Sequence, residues 1–203
     1  VLVVGAGGLG SPVIAYLAGA GVGTLGIIDH DTVSLSNLHR QVIHRQTGIG
    51  KAESAAGFAH ALNPHVAVTI HAHRLDAANA PTILGDYDLV LDGTDNLATR
   101  RLVAATCESL GLTLVSGAVS MFDGQVTTFA PGGPRFVDLY PEAADDADLP
   151  SCEATGILGP LTGVIGTLMA MEAVKLLTGI GTPLIGRVLT YDGKSSRFSE
   201  FSY

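Results

Sequence analysis

The chain has 203 residues, of which 47% are hydrophobic and 15% are charged, a composition that fits one folded domain and excludes a disordered chain or a coiled coil. Lysine and arginine number 11 against 19 aspartate and glutamate residues, so the net charge is −8. Such an acidic balance argues against a general partner of nucleic acid or of anionic membranes. The sequence has two cysteines and neither a disulfide framework nor a signal-peptide pattern, so we expect a cytoplasmic protein.

Predicted strands and helices alternate along the first half of the chain. An apolar run at residues 1–4 ends at a glycine turn, and the helical spacing of residues 12–20 leads to a second apolar strand at 24–29. Residues 32–50 are polar without apolar periodicity, which predicts an ordered functional loop. The further elements predicted in this half are a helix at 51–62, strands at 66–70 and 88–91, and a helix at 94–110. This alternation predicts a parallel sheet.

The second half of the chain predicts antiparallel strands. Its predicted elements are strands at 112–116 and 125–129, a loop at 131–150, a long apolar helix that ends near Gly179, and a hairpin of strands 186–191 and 196–201. The whole chain therefore predicts one α/β domain with an open sheet. We expect the sheet to be parallel in its first half and mixed or antiparallel in its second, with helices on both faces.

One uncharged window is close to the minimum length of a membrane span. Glu153 and Glu172 are separated by 18 uncharged residues. The window contains Pro160 and several glycines, and Glu172 and Lys175 continue the same helical pattern. We therefore expect a buried core or interface helix and no membrane association.

The glycine turn Gly5–Gly10 reads Gly-Ala-Gly-Gly-Leu-Gly, between a predicted strand and a predicted helix. In this context backbone N–H groups and the helix N-terminus bind phosphate. Asp29 follows Gly10 by 19 residues, at the end of the second strand, where a carboxylate accepts hydrogen bonds from a ribose. The alternative is a turn that serves only close helix packing. The pattern favours a nucleotide site and leaves the kind of nucleotide open.

Two cations narrow the choice of nucleotide. Arg40 lies in the polar loop within Ser36–Gln41, and Lys51 begins the next helix; both positions follow strand ends, where open α/β sheets bind ligands. A triphosphate needs such cations to neutralise its leaving pyrophosphate, whereas a dehydrogenase does not. Each cation alone could equally be a solvated surface charge. Asp95 follows the fourth strand and either holds Mg²⁺ against phosphate oxygens or caps the next helix.

Several motifs in order match one known family. They are Gly5–Gly10, the turn at 21–23, Asp29, Asp31, Ser36–Gln41, Lys51, Asn63 with Pro64, Asp92–Asn96, Arg100, Gly124 with Gln125, and residues 152–166. Over nearly its whole length the chain resembles the E1-like adenylyltransferases that activate ubiquitin-like sulfur carrier proteins, known as ThiF, MoeB and HesA proteins. The resemblance implies a Rossmann-like fold, a homodimer, and the use of ATP with Mg²⁺.

The resemblance also implies a reaction and a set of site residues. The carrier's C-terminal Gly-Gly carboxylate attacks the α-phosphate of ATP, giving an acyl-adenylate and pyrophosphate, for sulfur transfer in molybdopterin, thiamine or related biosynthesis. Arg40, Lys51 and Asp95 take catalytic roles, and Asp95 holds Mg²⁺. The implied nucleotide-binding positions are Gly8, Asp29, Ser36, Asn37, Leu38, His39, Arg40, Lys51, Asp95 and Asn96.

The two cysteines have different interpretations. Cys152 matches a cysteine that, in some members of the family, takes the activated carrier as a thioester or persulfide-linked species; a bystander thiol is the alternative. A thiolate near a helix N-terminus would be suitably activated for the first role. Cys107 has helical neighbours Val103 and Leu110, which predict a core position.

Many members of this family bind structural zinc through two C-x-x-C pairs. Arg135 and Asp138 stand where the first pair would fall, and they cannot replace two thiolates at a tetrahedral zinc. We therefore expect no zinc. In this respect the chain resembles the members of the family that lack zinc, some of which carry a C-terminal rhodanese domain. We also expect that residues 1–203 form one adenylation domain. In the family, an N-terminal segment before the first strand supplies an arginine to the partner subunit's ATP site, and we expect that this segment is missing here. A C-terminal extension could follow.

Two functions of other classes stay open at this point. The same glycine turn would serve an NAD-dependent oxidoreductase, although the sequence offers no obvious acid or base for hydride transfer. A non-catalytic relative that only docks a ubiquitin-like protein is the other alternative. His71 and His73 alternate along the third strand and are left without a functional assignment, because alternate residues share one face of a strand.

Overall fold

The computed structural model describes residues 1–141 and 156–203. Within these residues the strands form one sheet of eight, in the order β3-β2-β1-β4-β5-β6-β7-β8. The strands are β1 (Leu2–Val4), β2 (Thr24–Ile28), β3 (Ala67–His71), β4 (Leu89–Asp92), β5 (Thr113–Ser120), β6 (Asp123–Phe129), β7 (Arg187–Asp192) and β8 (Arg197–Ser202). The helices are α1 (Gly10–Ala20), α2 (Lys51–Leu62), α3 (Ala80–Gly85), α4 (Leu97–Leu110), α5 (Phe136–Leu139) and α6 (Gly159–Thr178), with a 3₁₀ turn at Leu35–Asn37.

The direction of the strands changes at β5. The pairs from β3 through β2, β1 and β4 to β5 are parallel, and the pairs from β5 through β6 and β7 to β8 are antiparallel. This confirms the predicted parallel first half and mixed second half. The chain leaves β1 toward β2 on one side and returns to β4 on the other, so the strand order reverses there. Open α/β sheets bind their ligands beyond the strand ends at such a reversal.

Both faces of the sheet are covered, as predicted. Alternate residues of β1 face opposite sides, so Val3 packs in a cluster with Val13 and Ile14 of α1. Leu2 lies in the second cluster, together with Val103 of α4. The helices α1, α2 and α6 therefore cover one face, and α3 and α4 cover the other, leaving the carboxyl ends of the parallel strands open.

Helix α6 is the uncharged, apolar segment that we expect, from the sequence, to be a core or interface helix. It packs on α1, β5 and β6, and it buries Leu161, Ile165 and Met169. Glu172 is also buried on this helix, where Oε2 accepts a hydrogen bond of 2.7 Å from the Leu184 amide. Among the described residues α6 alone has the length and composition of a membrane span, with 44% of the window buried, a pattern that core helices also show. Its packing agrees with a core helix.

The structure differs from the prediction in several places, and the hairpin of β5 and β6 is longer than predicted, reaching Ser120 and starting again at Asp123. Helix α3 was not predicted, because six residues are too few to show a helical period. Helix α4 begins at Leu97 and not at residue 94, because Asn96 caps it and accepts a hydrogen bond of 2.8 Å from the Thr99 amide. The predicted loop at 131–150 contains the short helix α5, and its residues from 142 onward lie outside the described residues.

Candidate functional site

A cavity of about 760 Å³ lies at the carboxyl ends of the parallel strands. Its wall comes from the glycine turn, the segments after β2 and β3, and the loop of residues 32–50 before α2, called the crossover loop below. The loop between β4 and α4, the β5–β6 hairpin, the α5 segment and the start of α6 complete it. Of the sequence-predicted site residues, the structure brings Gly8, Asp29, Arg40, Lys51, Asp95 and Asn96 to this wall. The cavity is thus at the place that the strand reversal predicts.

The glycine turn has the conformation that its sequence requires. Gly5 has φ +90°, a left-handed backbone that favours glycine, and its amide donates a hydrogen bond of 2.8 Å to the Ile28 carbonyl. A Cβ on Gly10 would lie 1.9 Å from the Gly5 carbonyl oxygen, so no side chain fits there. The turn passes close beneath the cavity, and Gly7 and Gly8 form part of the wall at the start of α1. Backbone N–H groups at such a turn suit a phosphate.

Asp29 holds the glycine turn from the end of β2. Its Oδ2 accepts a hydrogen bond of 2.8 Å from the Ala6 amide, and its Oδ1 accepts one of 2.9 Å from the Asp31 amide. Each carboxylate oxygen can accept more than one hydrogen bond, so both retain capacity for a ribose hydroxyl. The carboxylate therefore has a structural partner on each oxygen while it faces the cavity.

The two predicted cations both reach the cavity wall. Arg40 Nη1 donates a hydrogen bond of 2.9 Å to the Ser36 carbonyl. Lys51 is 7% exposed, and its Nζ lies 2.8 Å from Asp31 Oδ2. The hydrogen bond from Lys51 is the main cause that lowers the pKa of Asp31, against a smaller opposing effect of burial. The acidic chain thus carries a local pair of cations beside the glycine turn.

The four residues before Arg40 are placed differently from the prediction. The cavity wall takes Arg40 and Gln41 from this loop and none of Ser36, Asn37, Leu38 and His39. Asn37 is buried, and its Oδ1 accepts a hydrogen bond of 3.1 Å from the Ser34 amide. Its side chain therefore caps the 3₁₀ turn and shapes the loop that carries Arg40.

The loop between β4 and α4 presents Asp95 to the cavity. Because Asn96 caps α4, the alternative that Asp95 does so is wrong. The Asp95 carboxylate makes no hydrogen bond within the part of the chain that the structure describes, so its oxygens are available to a cation. Carboxylate oxygens together with phosphate oxygens are the ligands that Mg²⁺ prefers. The residues present therefore fit a magnesium ion bound with a triphosphate.

Two charged residues that are not among the predicted site residues hold this loop in place. Asp92 is fully buried, and its Oδ1 accepts hydrogen bonds from the Thr94 amide at 2.9 Å and the Thr94 hydroxyl at 2.7 Å. Arg100 donates to the Thr94 carbonyl and, at 2.7 Å, to the Gly117 carbonyl. The spacing of Asp92 and Thr94 at a strand end was the available signal, since Asp commonly bonds the backbone two residues on.

The cavity continues past the nucleotide end toward β5, β6 and α5. Gln125 on β6 donates a hydrogen bond to the Tyr140 hydroxyl, and both line this extension. Tyr140 stacks on Phe136 with ring centroids 4.7 Å apart, and burial raises the pKa of Tyr140. Arg135, which precedes α5, pairs with Asp138 within it at 3.3 Å; these are the two positions at which the family's first zinc-binding cysteine pair would fall. The absence of zinc stays a prediction.

Helix α6 meets the site loops at two glycines. A Cβ on Gly159 would lie 2.5 Å from the His39 carbonyl oxygen. A Cβ on Gly166 would lie 2.5 Å from the Leu9 carbonyl oxygen and 2.4 Å from the Pro12 ring. The helix backbone is therefore in direct contact with both the crossover loop and the start of α1.

Of the remaining sequence candidates, His73 lines the cavity, whereas His71 and Cys107 do not. Cys152 lies outside the described residues. Cys107 is buried as predicted, and burial is the main cause that raises its pKa to about 12. His71 Nε2 lies 2.8 Å from the Tyr87 hydroxyl, and the rings of His71 and His73 meet edge to face.

An open α/β sheet with a phosphate-type glycine turn, a carboxylate after β2 and two cations at the strand ends defines a nucleotide-binding protein of the Rossmann-like class. The chain belongs to the ThiF family, whose model matches residues 1–203. This confirms the family expected from its motifs.

Curated relatives match almost the whole chain. It is 46% identical to a SAMP-activating enzyme E1 of Haloferax volcanii, over 100% of this chain and 76% of that protein. It is 46% identical to the adenylyltransferase and sulfurtransferase MOCS3 of Drosophila grimshawi, over 98% of this chain and 45% of that protein. It is 48% identical to a probable adenylyltransferase/sulfurtransferase MoeZ of Mycobacterium tuberculosis, over 95% of this chain and 51% of that protein. The chain thus spans about half the length of MOCS3 and MoeZ.

Solved structures share the fold at low identity. E. coli MccB with AMPCPP and MccA superposes with a TM-score of 0.87 at 17% identity, covering 99% of this chain and 62% of that one. PaaA superposes with a TM-score of 0.83 at 21% identity, covering 99% of this chain and 63% of that one. These likenesses support the predicted fold class.

Proposed function

We propose that this domain is an adenylyltransferase that uses ATP and Mg²⁺ to adenylate the C-terminal Gly-Gly carboxylate of a ubiquitin-like sulfur carrier protein. The observation that carries the proposal is the gathering of Gly8, Asp29, Arg40, Lys51 and Asp95 around one cavity. The names of the relatives, which include an E1 for SAMP and the adenylyltransferases MOCS3 and MoeZ, support the same chemistry.

In this proposal the cavity holds the nucleotide at its glycine-turn end. The amides of the turn meet the phosphates, and Asp29 accepts hydrogen bonds from the ribose. Arg40 and Lys51 neutralise the charge that develops on the leaving pyrophosphate. Lys51 begins the reaction paired with Asp31, so it moves from a carboxylate to a phosphate partner when ATP binds. Asp95 would hold the magnesium ion, which would supply further charge neutralisation at the phosphates.

The carrier's tail takes the other end of the cavity, near Gln125 and Tyr140. A carboxylate oxygen of its last glycine forms a bond to the α-phosphorus of ATP. The bond from the α-phosphorus to the oxygen bridging to the β-phosphorus breaks, and pyrophosphate leaves with that electron pair. No proton transfer is needed, since the attacking carboxylate is already ionised at neutral pH. The enzyme's contribution is therefore orientation and charge stabilisation.

The proposal extends to the assembly and the setting of the protein. We place it in the cytoplasm as a homodimer in which each subunit's N-terminal segment supplies an arginine to its partner's ATP site. In a later step the Cys152 thiolate would attack the carrier's acyl-adenylate, forming a thioester and releasing AMP. A persulfide-linked species would form in the same way, also with release of AMP, if a sulfur-donor protein had first placed a persulfide on Cys152. The carrier would serve molybdopterin, thiamine or related biosynthesis.

ATP–pyrophosphate exchange with a panel of carriers ending in Gly-Gly tests the proposal. Lys51→Ala and Arg40→Ala are expected to lower exchange by about 100-fold or more while the fold is retained. The matched controls Lys194→Ala and Arg45→Ala remove exposed charges away from the cavity wall and are expected to leave exchange unchanged. Near-normal exchange in both site variants would contradict the phosphate assignment. Binding of NAD by the wild type with no ATP binding would favour the oxidoreductase instead.

A further inference from the structure

His44 is a buried polar residue that reaches the glycine turn from behind the cavity. It lies in the crossover loop and is 4% exposed. Its Nε2 is 2.8 Å from the Ala6 carbonyl oxygen, and its Nδ1 is 2.9 Å from the Ser54 hydroxyl of α2. One imidazole thus joins the glycine turn, the crossover loop and α2. The function proposed above gives it no role.

The hydrogen-bond partners fix the tautomer of His44. A carbonyl oxygen only accepts hydrogen bonds, so Nε2 carries the ring hydrogen and donates a hydrogen bond to the Ala6 carbonyl. Nδ1 then presents its lone pair, to which the Ser54 hydroxyl donates. Burial is the main cause that lowers the pKa of His44, and the positive charge of Lys51 lowers it further, against raising effects from Ala6 and Asp29. The ring is therefore neutral at pH 7 and oriented in one way.

The contact with Ala6 controls a peptide group of the nucleotide site. The Ala6 carbonyl and the Gly7 N–H belong to one planar trans peptide, so they point in opposite directions. His44 attracts the carbonyl and thereby directs the Gly7 N–H to the other side. Gly7 lines the cavity, and its N–H donates no hydrogen bond within the described residues. Because Gly7 lacks a Cβ, this peptide would flip at little steric cost without a partner on its carbonyl.

The neighbouring peptide is held as well. The Ala6 amide donates to Asp29 Oδ2 at 2.8 Å, so Ala6 is bound on its N–H side by the end of β2 and on its C=O side by the crossover loop. Loss of the His44 contact would free one side and leave a buried carbonyl without its donor. A carbonyl that turned toward the cavity would repel phosphate oxygens.

We propose that His44 is a positioning residue for ATP: its Nε2–H holds the Ala6 carbonyl so that the Gly7 N–H faces the phosphates, with Ser54 fixing the ring. This inference rests on the proposed function. It assigns His44 a role in nucleotide affinity that acts through the backbone and involves no contact with the nucleotide.

Glutamine and asparagine variants separate donor geometry from simple packing. The amide nitrogen of His44→Gln takes the place of Nε2 and can donate to Ala6, whereas that of His44→Asn takes the place of Nδ1 and cannot reach it. We expect His44→Gln to stay within about threefold of the wild-type dissociation constant for ATP, measured by calorimetry. His44→Asn and His44→Leu are expected to weaken ATP binding by about tenfold. In exchange assays the loss should appear mainly in KM for ATP, with kcat much less changed.

Ser54→Ala provides a second readout, because it removes the hydroxyl that orients the ring and leaves His44 in place. We expect it to weaken ATP binding by about threefold. Thermal unfolding identifies variants that fail to fold. If His44→Leu does not fold, the comparison of ATP affinity between His44→Gln and His44→Asn tests the role of His44. Equal ATP affinity in folded His44→Gln and His44→Asn variants would overturn the inference about His44. If the wild type still bound ATP, the proposed function would stand. Absence of ATP binding by the wild type would overturn both.

Discussion

Lys51 is paired with Asp31 through a contact of 2.8 Å between Nζ and Oδ2, inside the cavity that is expected to receive phosphates. The lysine is almost fully buried, whereas Asp31 is exposed. In the proposed function the carboxylate is the lysine's partner when no nucleotide is bound, and it would remain solvated once the lysine turned to a phosphate.

Lys51→Met is expected to raise the pKa of Asp31 toward its ordinary value of 3.8, because the hydrogen bond from Lys51 is the main cause that lowers it. The pair contributes stability above that pH and loses it as the pH falls through the lowered pKa of the folded state. Asp31 is exposed, so this contribution is below about 1 kcal/mol. An NMR titration of the Asp31 carboxyl carbon measures the change. Lys194→Met is the control, and an unchanged Asp31 titration in Lys51→Met would contradict the pairing.

Asn96 and Asp95 are adjacent, and we expect the Asn96 substitution to lower stability and the Asp95 substitution to lower magnesium-dependent activity. Asn96→Ala removes the cap of α4 and is expected to lower the free energy of unfolding by about 1 kcal/mol. Asp95→Ala removes the carboxylate proposed to hold Mg²⁺. It should change the free energy of unfolding by less than about 0.5 kcal/mol. Urea denaturation measures stability, and magnesium-dependent exchange measures function. A large stability loss in Asp95→Ala would show that this carboxylate has a structural role.

Gly10→Ala is expected to disrupt the glycine turn, since its Cβ would lie 1.9 Å from the Gly5 carbonyl oxygen. The backbone has to move, so both ATP affinity and the melting temperature should fall. Gly57→Ala is the matched control: Gly57 lies within α2, and its Cβ would meet nothing within 4 Å. It is expected to raise the free energy of unfolding by about 0.5 to 1 kcal/mol. Equal behaviour of the two variants would refute the crowding at Gly10.

Cys107 is expected to resist alkylation in the folded protein, because the thiolate is the reactive form and the pKa of this thiol is about 12. The unfolded thiol ionises from about 9, so the unfolded state binds fewer protons between these values and this group lowers stability as the pH rises through that range. Iodoacetamide labelling of a Cys152→Ser variant, followed by mass spectrometry, measures Cys107 alone. Labelling at pH 8 that matches the rate for denatured protein would contradict its burial.

Local patterns predicted the elements that position the site. Helix α2 has the predicted bounds at Lys51 and Leu62, since its apolar spacing is helical and Asn63 with Pro64 ends it. The glycine turn could be predicted because its residues are consecutive, and the structure shows that Gly5 needs a positive φ and that Gly10 has no room for a Cβ. The place of Asp29 followed from the strand that precedes it.

The contacts that organise the site could not be predicted in the same way. His44 and Ala6 are 38 residues apart, and Arg100 meets Gly117 across 17 residues. Such contacts depend on the path of a loop without periodicity, so no local pattern encodes them. The placement of Ser36 to His39 behind Arg40 likewise depends on the 3₁₀ turn that Asn37 caps.

Glycines at two positions of α6 bring its backbone against the carbonyls of His39 and Leu9. Backbone atoms in contact lack the rotamer freedom through which a long side chain would absorb a displacement. The helix, the crossover loop and the start of α1 should consequently move as one rigid unit. Ligand binding that stiffens any one of them should slow amide hydrogen exchange in all three at once, including in the distant C-terminal turns of the helix near Thr178.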